Sequence, residues 1–312
     1  MTKRPEISVV IPTLNRANLV TRAVKSVLNQ SFDSLEVIVV IDGQDEETAN
    51  ALELISNGKV RIIQLNKNRG PAGARNVGVE SAKGKWIAFL DDDDEYLPDK
   101  LELQIECANQ MNCVLPVVAC QVIAHTPNKE MLWPRRFPEP LEPLSDYMLA
   151  RKSLFLGEAL IQTSMIFADK RLLIKIPFNE KLWRYEEWDW ILRATKLPEV
   201  KLEFVKKPLA IWYVDDKRKS LSNSNDWQRS LDWIRSRADL VTPRAYSGFI
   251  VTNVTPLAVE SSDYASLGTL LKEMIIKGEP KPIDFILFFG MWLVSRKTRR
   301  YLRSLMPFHR YS

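Results

Sequence analysis

Four consecutive carboxylates, Asp91-Asp92-Asp93-Asp94, follow directly on the apolar run Trp86–Leu90. Two carboxylates about 4 Å apart repel by about 4 kcal/mol even at an effective dielectric near 20, so something must dilute or neutralise this charge. A solvated acidic turn before the Pro98-initiated helix is the plain account. At the carboxyl end of a buried strand a hard divalent cation is the better one. Mg²⁺ and Mn²⁺ take oxygen ligands, using one or two carboxylates together with substrate phosphates. A second acidic pair, Glu186-Glu187, stands among Trp183, Trp188 and Trp190. At a helix N-terminus the dipole stabilises a carboxylate, which makes simple capping a real alternative. Aromatic neighbours would instead desolvate it and raise its pKa, as suits a general base. No Ser/His/Asp or Cys/His set accompanies these acids. The chain has two His, and its three Cys (Cys107, Cys113, Cys120) form no CxxC pair. Reduced core thiols are expected, with no structural zinc site and no disulfide framework.

The elements that must carry these acids alternate over the first hundred residues. Ile7–Ile11, Leu35–Ile41, Val60–Leu65 and Trp86–Leu90 have the short apolar runs of strands. Ala17–Asn29, Glu46–Ile55 and Pro71–Ser81 have helical patterns, the last with Pro at a favourable first position. Such alternation predicts an α/β fold with a doubly wound, mostly parallel sheet, whose ligands bind beyond the carboxyl ends of the strands. Thr13-Leu-Asn-Arg16, Asp42 and the acidic quartet all fall there. The site is shaped for a nucleotide, yet GxxxxGK[ST] is absent, and Gly70-Pro-Ala-Gly73 with Gly78 follows a polar loop rather than a strand. Both a P-loop and a hydride-transfer site are disfavoured. Further along, Val114–His125 and Gln162–Ala168 suggest strands, Asp169–Leu173 a short helix, and Glu186 to about Lys196 another.

The formal net charge of +5 is concentrated in the tail: from Phe285 to Ser312 there are six basic residues (Arg296, Lys297, Arg299, Arg300, Arg303, Arg310) and no Asp or Glu. The balanced remainder gives no basic stripe with stacking aromatics, so nucleic acid is not expected as a partner. No secretory signal is recognisable, and the longest apolar run, Phe285–Val294, falls short of the roughly 18–20 residues needed to span a bilayer.

Several spaced motifs carry a resemblance. Ser8-Val-Val-Ile-Pro-Thr-Leu-Asn15, Ile41-Asp42-Gly43, Asn68-Arg-Gly-Pro-Ala-Gly-Ala-Arg-Asn76, Gly84–Asp94 and Leu97-Pro-Asp-Lys-Leu101 resemble, in order, the inverting GT-A-fold glycosyltransferases of family 2. The resemblance is strong from about residue 6 to 110, weaker to about 215, and absent from the last hundred residues. It implies a Rossmann-like nucleotide-sugar-binding half (1–110), an acceptor and catalytic-base half (111–220) and a helical C-terminal extension with a basic tail (221–312). Pro12, Thr13 and Asn15 would wall the nucleotide, and Asp42 would accept a hydrogen bond from its base. Arg75 and Asp92 would lie beside the base and ribose, with Asp91 and Asp93 as the ends of the DxD pattern. Asp93, with Asp91, would hold Mn²⁺ or Mg²⁺. Counting back from Arg193, Glu187 matches the base position; Glu186 is the runner-up and Asp189 the third choice. The sequence departs from the family in having Ile41 where a second acid is common, and Glu187 where Asp is usual.

The implied activity is transfer of a single sugar, with inversion, from a nucleotide sugar (a UDP-sugar by the family's habit) to an acceptor hydroxyl in polysaccharide or glycolipid assembly. The QxxRW motif and membrane helices of the processive synthases are missing. A catalytically silent nucleotide-sugar- or carbohydrate-binding protein on the same fold is the alternative. A cytoplasmic location is expected. Residues 283–312 suggest either peripheral contact with an anionic membrane surface, where a lipid-linked acceptor would be found, or a docked C-terminal helix with solvated arginines. The Pro-rich stretch Thr126–Pro143 suggests a mobile acceptor-side segment.

Overall fold

The computed structural model describes residues 4–126, 129–154, 157–214, 226–295 and 298–299. They form two compact units: residues 1–133 with 161–218, and 134–160 with 219–310. Residues 134–160, assigned from sequence to the second half of the catalytic domain, thus cluster with the C-terminal helices.

The first unit is built on strands β1 (Ile7–Thr13), β2 (Leu35–Ile41), β3 (Val60–Gln64), β4 (Trp86–Phe89), β5 (Glu95–Tyr96), β6 (Leu115–Thr126), β7 (Lys129–Trp133), β8 (Phe167–Asp169) and β9 (Val200–Tyr213). Their order is β3-β2-β1-β4-β8-β6-β9-β5, with β7 paired to β6. β3, β2, β1 and β4 are parallel, and β8 reverses direction against β4. Every residue of β1, β2 and β4 is buried, as befits parallel strands covered on both faces. Pro12 is tolerated in β1 because β4 pairs only with Ile7–Val10, leaving Pro12 a neighbour on the β2 side alone.

Helices α1 (Ala17–Leu28), α2 (Glu46–Glu53), α3 (Gly70–Ser81) and α4 (Lys100–Gln110) cover the sheet. α1 buries Val20, Ala23, Val24 and Val27, an i, i+3, i+4, i+7 stripe. α3 approaches β1 through small residues. A Cβ built on Gly78 would lie 2.3 Å from Val10 Cγ1, a separation that real structures do not tolerate. Gly78→Ala must therefore push α3 off β1. The expected cost is about 1–3 kcal/mol, in the range for overpacking a core, read as a lowered midpoint in urea unfolding with the slope unchanged.

Gln162–Ala168 departs from the expected strand. Thr163–Met165 form a 3₁₀ turn, and only Phe167–Asp169 pair as β8. The Gln162 side chain accepts from Ser164 N at 2.9 Å, a local bond that bends the backbone away from the ladder. Part of the Pro-rich stretch after Thr126 is ordered as β7, paired with β6 from Val122↔Trp133 to Thr126↔Lys129. Helices α5 (Leu144–Leu149), α6 (Lys170–Lys175) and α7 (Glu186–Ala194) follow in chain order; α6 and α7 belong to the first unit and α5 to the second.

The second unit adds α8 (Trp227–Arg235), α9 (Pro243–Phe249), a π-helical turn (Ile250–Val254), α10 (Thr255–Glu260), α11 (Ser266–Ile276) and α12 (Pro282–Leu293). Its core includes Tyr147, Trp233, Phe249 and Phe288. A buried ion pair, Arg244 with Asp284, joins α9 to α12. Among the described residues no helix is long and apolar enough to cross a membrane.

Candidate functional site

β1, β2 and β4 run in the same direction, so their carboxyl ends bring Thr13, Asp42 and the acidic quartet to one end of the first unit. The loop after β1 is held by Asp45, the N-cap of α2, whose carboxylate accepts from Thr48 N at 3.1 Å and Asn15 N at 2.6 Å. Asn15 itself is exposed in a left-handed conformation, φ 54°. Pro12 is buried beside Thr13. Asp42 lies at the end of β2, with Oδ1 accepting from Arg69 N at 2.7 Å. Burial pushes its pKa up, against the opposing pull of that bond.

The four aspartates have different environments. Asp92 is buried, accepting from Thr13 Oγ1 and Arg16 Nη1, both at 2.8 Å. Burial outweighs these partners and pushes its pKa up to about 6. Asp94 is fully buried and accepts from Ser164 Oγ at 2.7 Å, Gln162 Nε2 at 2.8 Å and Tyr213 N at 3.3 Å. Burial, reinforced by the charges of Asp91 and Asp93, holds it well above the ordinary carboxylate range. Asp91 and Asp93 keep about a quarter of their side-chain surface open, 26% and 27%. The quartet is therefore two anchors alternating with two presented carboxylates. Arg16 reaches Asp93 at 3.4 Å as well, and Arg22 donates to the Asp93 carbonyl at 2.5 Å.

Arg75, buried on α3, connects this turn to the second acidic pair. Its Nη2 donates to Asp91 Oδ1 at 2.7 Å and its Nη1 to Glu186 Oε1 at 3.1 Å. Burial works against its charge, but the carboxylates prevail and raise its pKa further. α7 carries Glu186, Glu187 and Asp189 in its first turn, where the helix dipole favours them. It starts on Tyr185, a left-handed residue (φ 65°) whose ring stacks on Trp188 at 5.2 Å. Trp188 Nε1 donates to Ile161 O at 3.1 Å, and Trp190 is fully buried. Asp189 is buried against Arg193 at 2.7 Å, which leaves it as a structural group. Glu187 retains some accessible surface, yet its carboxyl is closely enclosed. Burial first, then the neighbouring Glu186 charge, pushes its pKa up to about 8.

Arg16, Arg22, Asp94, Gln162 and Ser164 have roles that sequence reasoning did not assign. Gln162 and Ser164, polar residues two apart in an apolar segment, were the available signal. Among the described residues no group of three or more His, Cys, Asp or Glu is arranged to hold a metal by itself. Asp91 and Asp93 nevertheless fit a hard divalent ion chemically: they are partly exposed oxygen donors, and Mg²⁺ or Mn²⁺ completes its shell with phosphate and water. A cavity of about 710 Å³ lined by Arg4, Glu6, Gly84, Lys85 and Asp169 opens at the amino-terminal end of β1 and β4, away from these groups. Its cations are already engaged; Lys170, for example, donates to Ala82 O at 2.6 Å.

Residues 8–176 match the model of "Glycosyl transferase family 2". The chain belongs to that family. The chain is similar to the succinoglycan biosynthesis protein ExoO of Rhizobium meliloti, 38% identical over 122 residues, 39% of this chain and 35% of that protein. The chain thus spans about a third of that relative's length. The fold is that of GT-A-like glycosyltransferases. TarS of S. aureus, solved with UDP-GlcNAc, superposes with TM-score 0.58 at 16% identity, covering 96% of this chain and 92% of that one. The mannosyltransferase PcManGT of Pyrobaculum calidifontis, solved with GDP-Man and Mn²⁺, gives TM-score 0.58 at 18% identity, covering 97% and 84%.

Proposed function

We propose that this family member is an inverting glycosyltransferase that moves one sugar from a nucleotide-sugar donor, a UDP-sugar first, to an acceptor hydroxyl in polysaccharide or glycolipid assembly. The observation that carries this reading is the path Asp91–Arg75–Glu186–Glu187, which joins a presented carboxylate turn to an enclosed acid of raised pKa. Biosynthesis of succinoglycan by a relative, and UDP-GlcNAc and GDP-Man in structures of like fold, support the substrate class.

On this reading Pro12, Thr13 and Asn15 wall the nucleotide and Asp42 accepts a hydrogen bond from its base. Asp92, fixed by Thr13 and Arg16, stands beside the ribose. Asp93 and Asp91 would hold Mn²⁺ or Mg²⁺, which would supply Lewis-acid stabilisation of the departing diphosphate. Glu187 takes the proton of the acceptor hydroxyl as its oxygen forms a bond to the anomeric carbon. The bond from that carbon to the diphosphate breaks, and its electron pair leaves with the nucleoside diphosphate. A single displacement inverts the anomeric centre. Arg75 keeps Asp91 and Glu186 apart from one another and in place.

The test is incubation with UDP-, GDP- and dTDP-sugars and Mn²⁺, followed by NMR. Expected is slow, metal-dependent release of nucleoside diphosphate, with water as the acceptor and the freed sugar in the opposite anomeric configuration. Retained configuration would remove the inverting reading. Tight binding with no turnover, acceptors included, would favour the silent binding protein.

A further inference from the structure

α12 has an inverted surface. Of its twelve residues only Asp284 and Phe288 are buried, and Asp284, its one charged residue, is locked into the ion pair with Arg244. The residues that face solvent, Pro282, Ile286, Phe289 and Leu293, recur at steps of four, three and four, so they form one apolar stripe along the helix. Ile286 is 62% exposed and Leu293 81%. Tyr264, also exposed, packs its ring against Trp292 at 5.9 Å and widens the patch with two amphipathic aromatics. Water-facing helices ordinarily place polar groups there. A contiguous apolar face of this kind marks a contact surface.

The charge that follows this stripe in the sequence indicates what covers it. Six cations and no Asp or Glu lie between Phe285 and Ser312. Arg299, within the described residues, donates to the carbonyls of Met291 and Val294 and so sits against the C-terminal end of α12. Arg296, Lys297, Arg300, Arg303 and Arg310 lie outside the described residues, and Tyr301 with them; in the sequence the first three follow Leu293 by three, four and seven residues. An apolar stripe with amphipathic aromatics, followed in the sequence by an excess of cations, matches an anionic lipid surface. Twelve helical residues extend only about 18 Å, too short to cross a hydrocarbon core of about 30 Å, so the helix would lie along the interface.

We infer that the α12 stripe is a peripheral docking surface for anionic phospholipid bilayers. The inference does not depend on the proposed reaction, and its test does not use activity. The full chain is sedimented with vesicles of phosphatidylcholine alone and of phosphatidylcholine mixed with phosphatidylglycerol, at low and high salt. Binding is expected only with the mixed vesicles, weakening as salt rises. Ile286→Ser/Phe289→Ser/Leu293→Ser should lose about tenfold or more in partitioning while keeping the wild-type circular dichroism. Leu293→Ser alone, at the most exposed position, should show a smaller loss in the same direction, which keeps the test decisive if the triple variant unfolds. Equal partitioning of variant and wild type would overturn the proposal. So would wild-type protein that pellets equally with neutral vesicles, or with none. So too would a concentration-dependent dimer that these substitutions disrupt without any vesicle binding, because a second copy would then be the cover.

Discussion

Glu187→Gln is expected to lower transfer to an acceptor by about 10²–10⁴-fold while leaving donor affinity nearly unchanged, the range for removing a general base. The amide preserves shape but cannot take a proton. Two further readouts separate this role from a structural one. A base must be ionised, so wild-type turnover should rise with pH along a limb displaced upward from the ordinary glutamate value towards about 8, and the variant's residual rate should lack that limb. Stability should shift the other way. The folded pKa lies above the unfolded one, so the folded state holds the extra proton and loses stability as pH rises from about 4.5 through about 8. Glu187→Gln removes that dependence and should unfold at a higher temperature than wild type at the alkaline end. Glu186→Gln with the full set of effects would move the assignment by one residue.

Arg75→Met is the second large effect. The guanidinium is buried and paired with Asp91 and Glu186, with Glu187 close by. Removing it leaves acids facing each other without compensation in a poorly solvated space. Breaking a buried pair by deleting one partner costs about 3–5 kcal/mol. Thermal unfolding should show a deficit against wild type that shrinks as the pH is lowered, since protonating the carboxylates relieves their repulsion. Arg75→Lys should recover only part, because one ammonium cannot take up the two-armed geometry of the fork. A pH-independent deficit would place the cost in packing instead of charge.

Much of the fold over the first hundred residues was legible because its signals are local. The β-branched, mostly apolar runs of β1 and β2, the stripe of α1 and the Pro near the start of α3 each declare an element without help from distant residues. The strand-end placement of Asp42 and Asp91–Asp94 followed from topology. The division of labour within the quartet did not. What makes Asp92 and Asp94 anchors is Thr13, Arg16, Gln162, Ser164 and Tyr213, separated from them by up to 119 residues. That Gln162–Ala168 pairs as a strand only at its end was not legible, because composition does not distinguish a strand from a turn closed by its own Gln162 side chain. The left-handed start of α7 was hidden for a similar reason: a buried Tyr185 at positive φ is held by its stacking on Trp188, which no propensity encodes. Residues 134–160 join the second unit through long-range contacts, among them Thr242 N donating to Ser145 Oγ at 3.3 Å.

The balance of charge around Arg75 has a consequence for timing. One guanidinium stands against Asp91, Glu186 and Glu187, so these groups carry more acid than base, and burial with the Glu186 charge favours the protonated form of Glu187. A divalent cation at Asp91 and Asp93 would favour release of that proton, and the negative charges of an arriving diphosphate would oppose it. On the proposed reading the charge on Glu187 then depends on the order in which the two arrive, and the pair together leaves the balance close to that of the empty pocket.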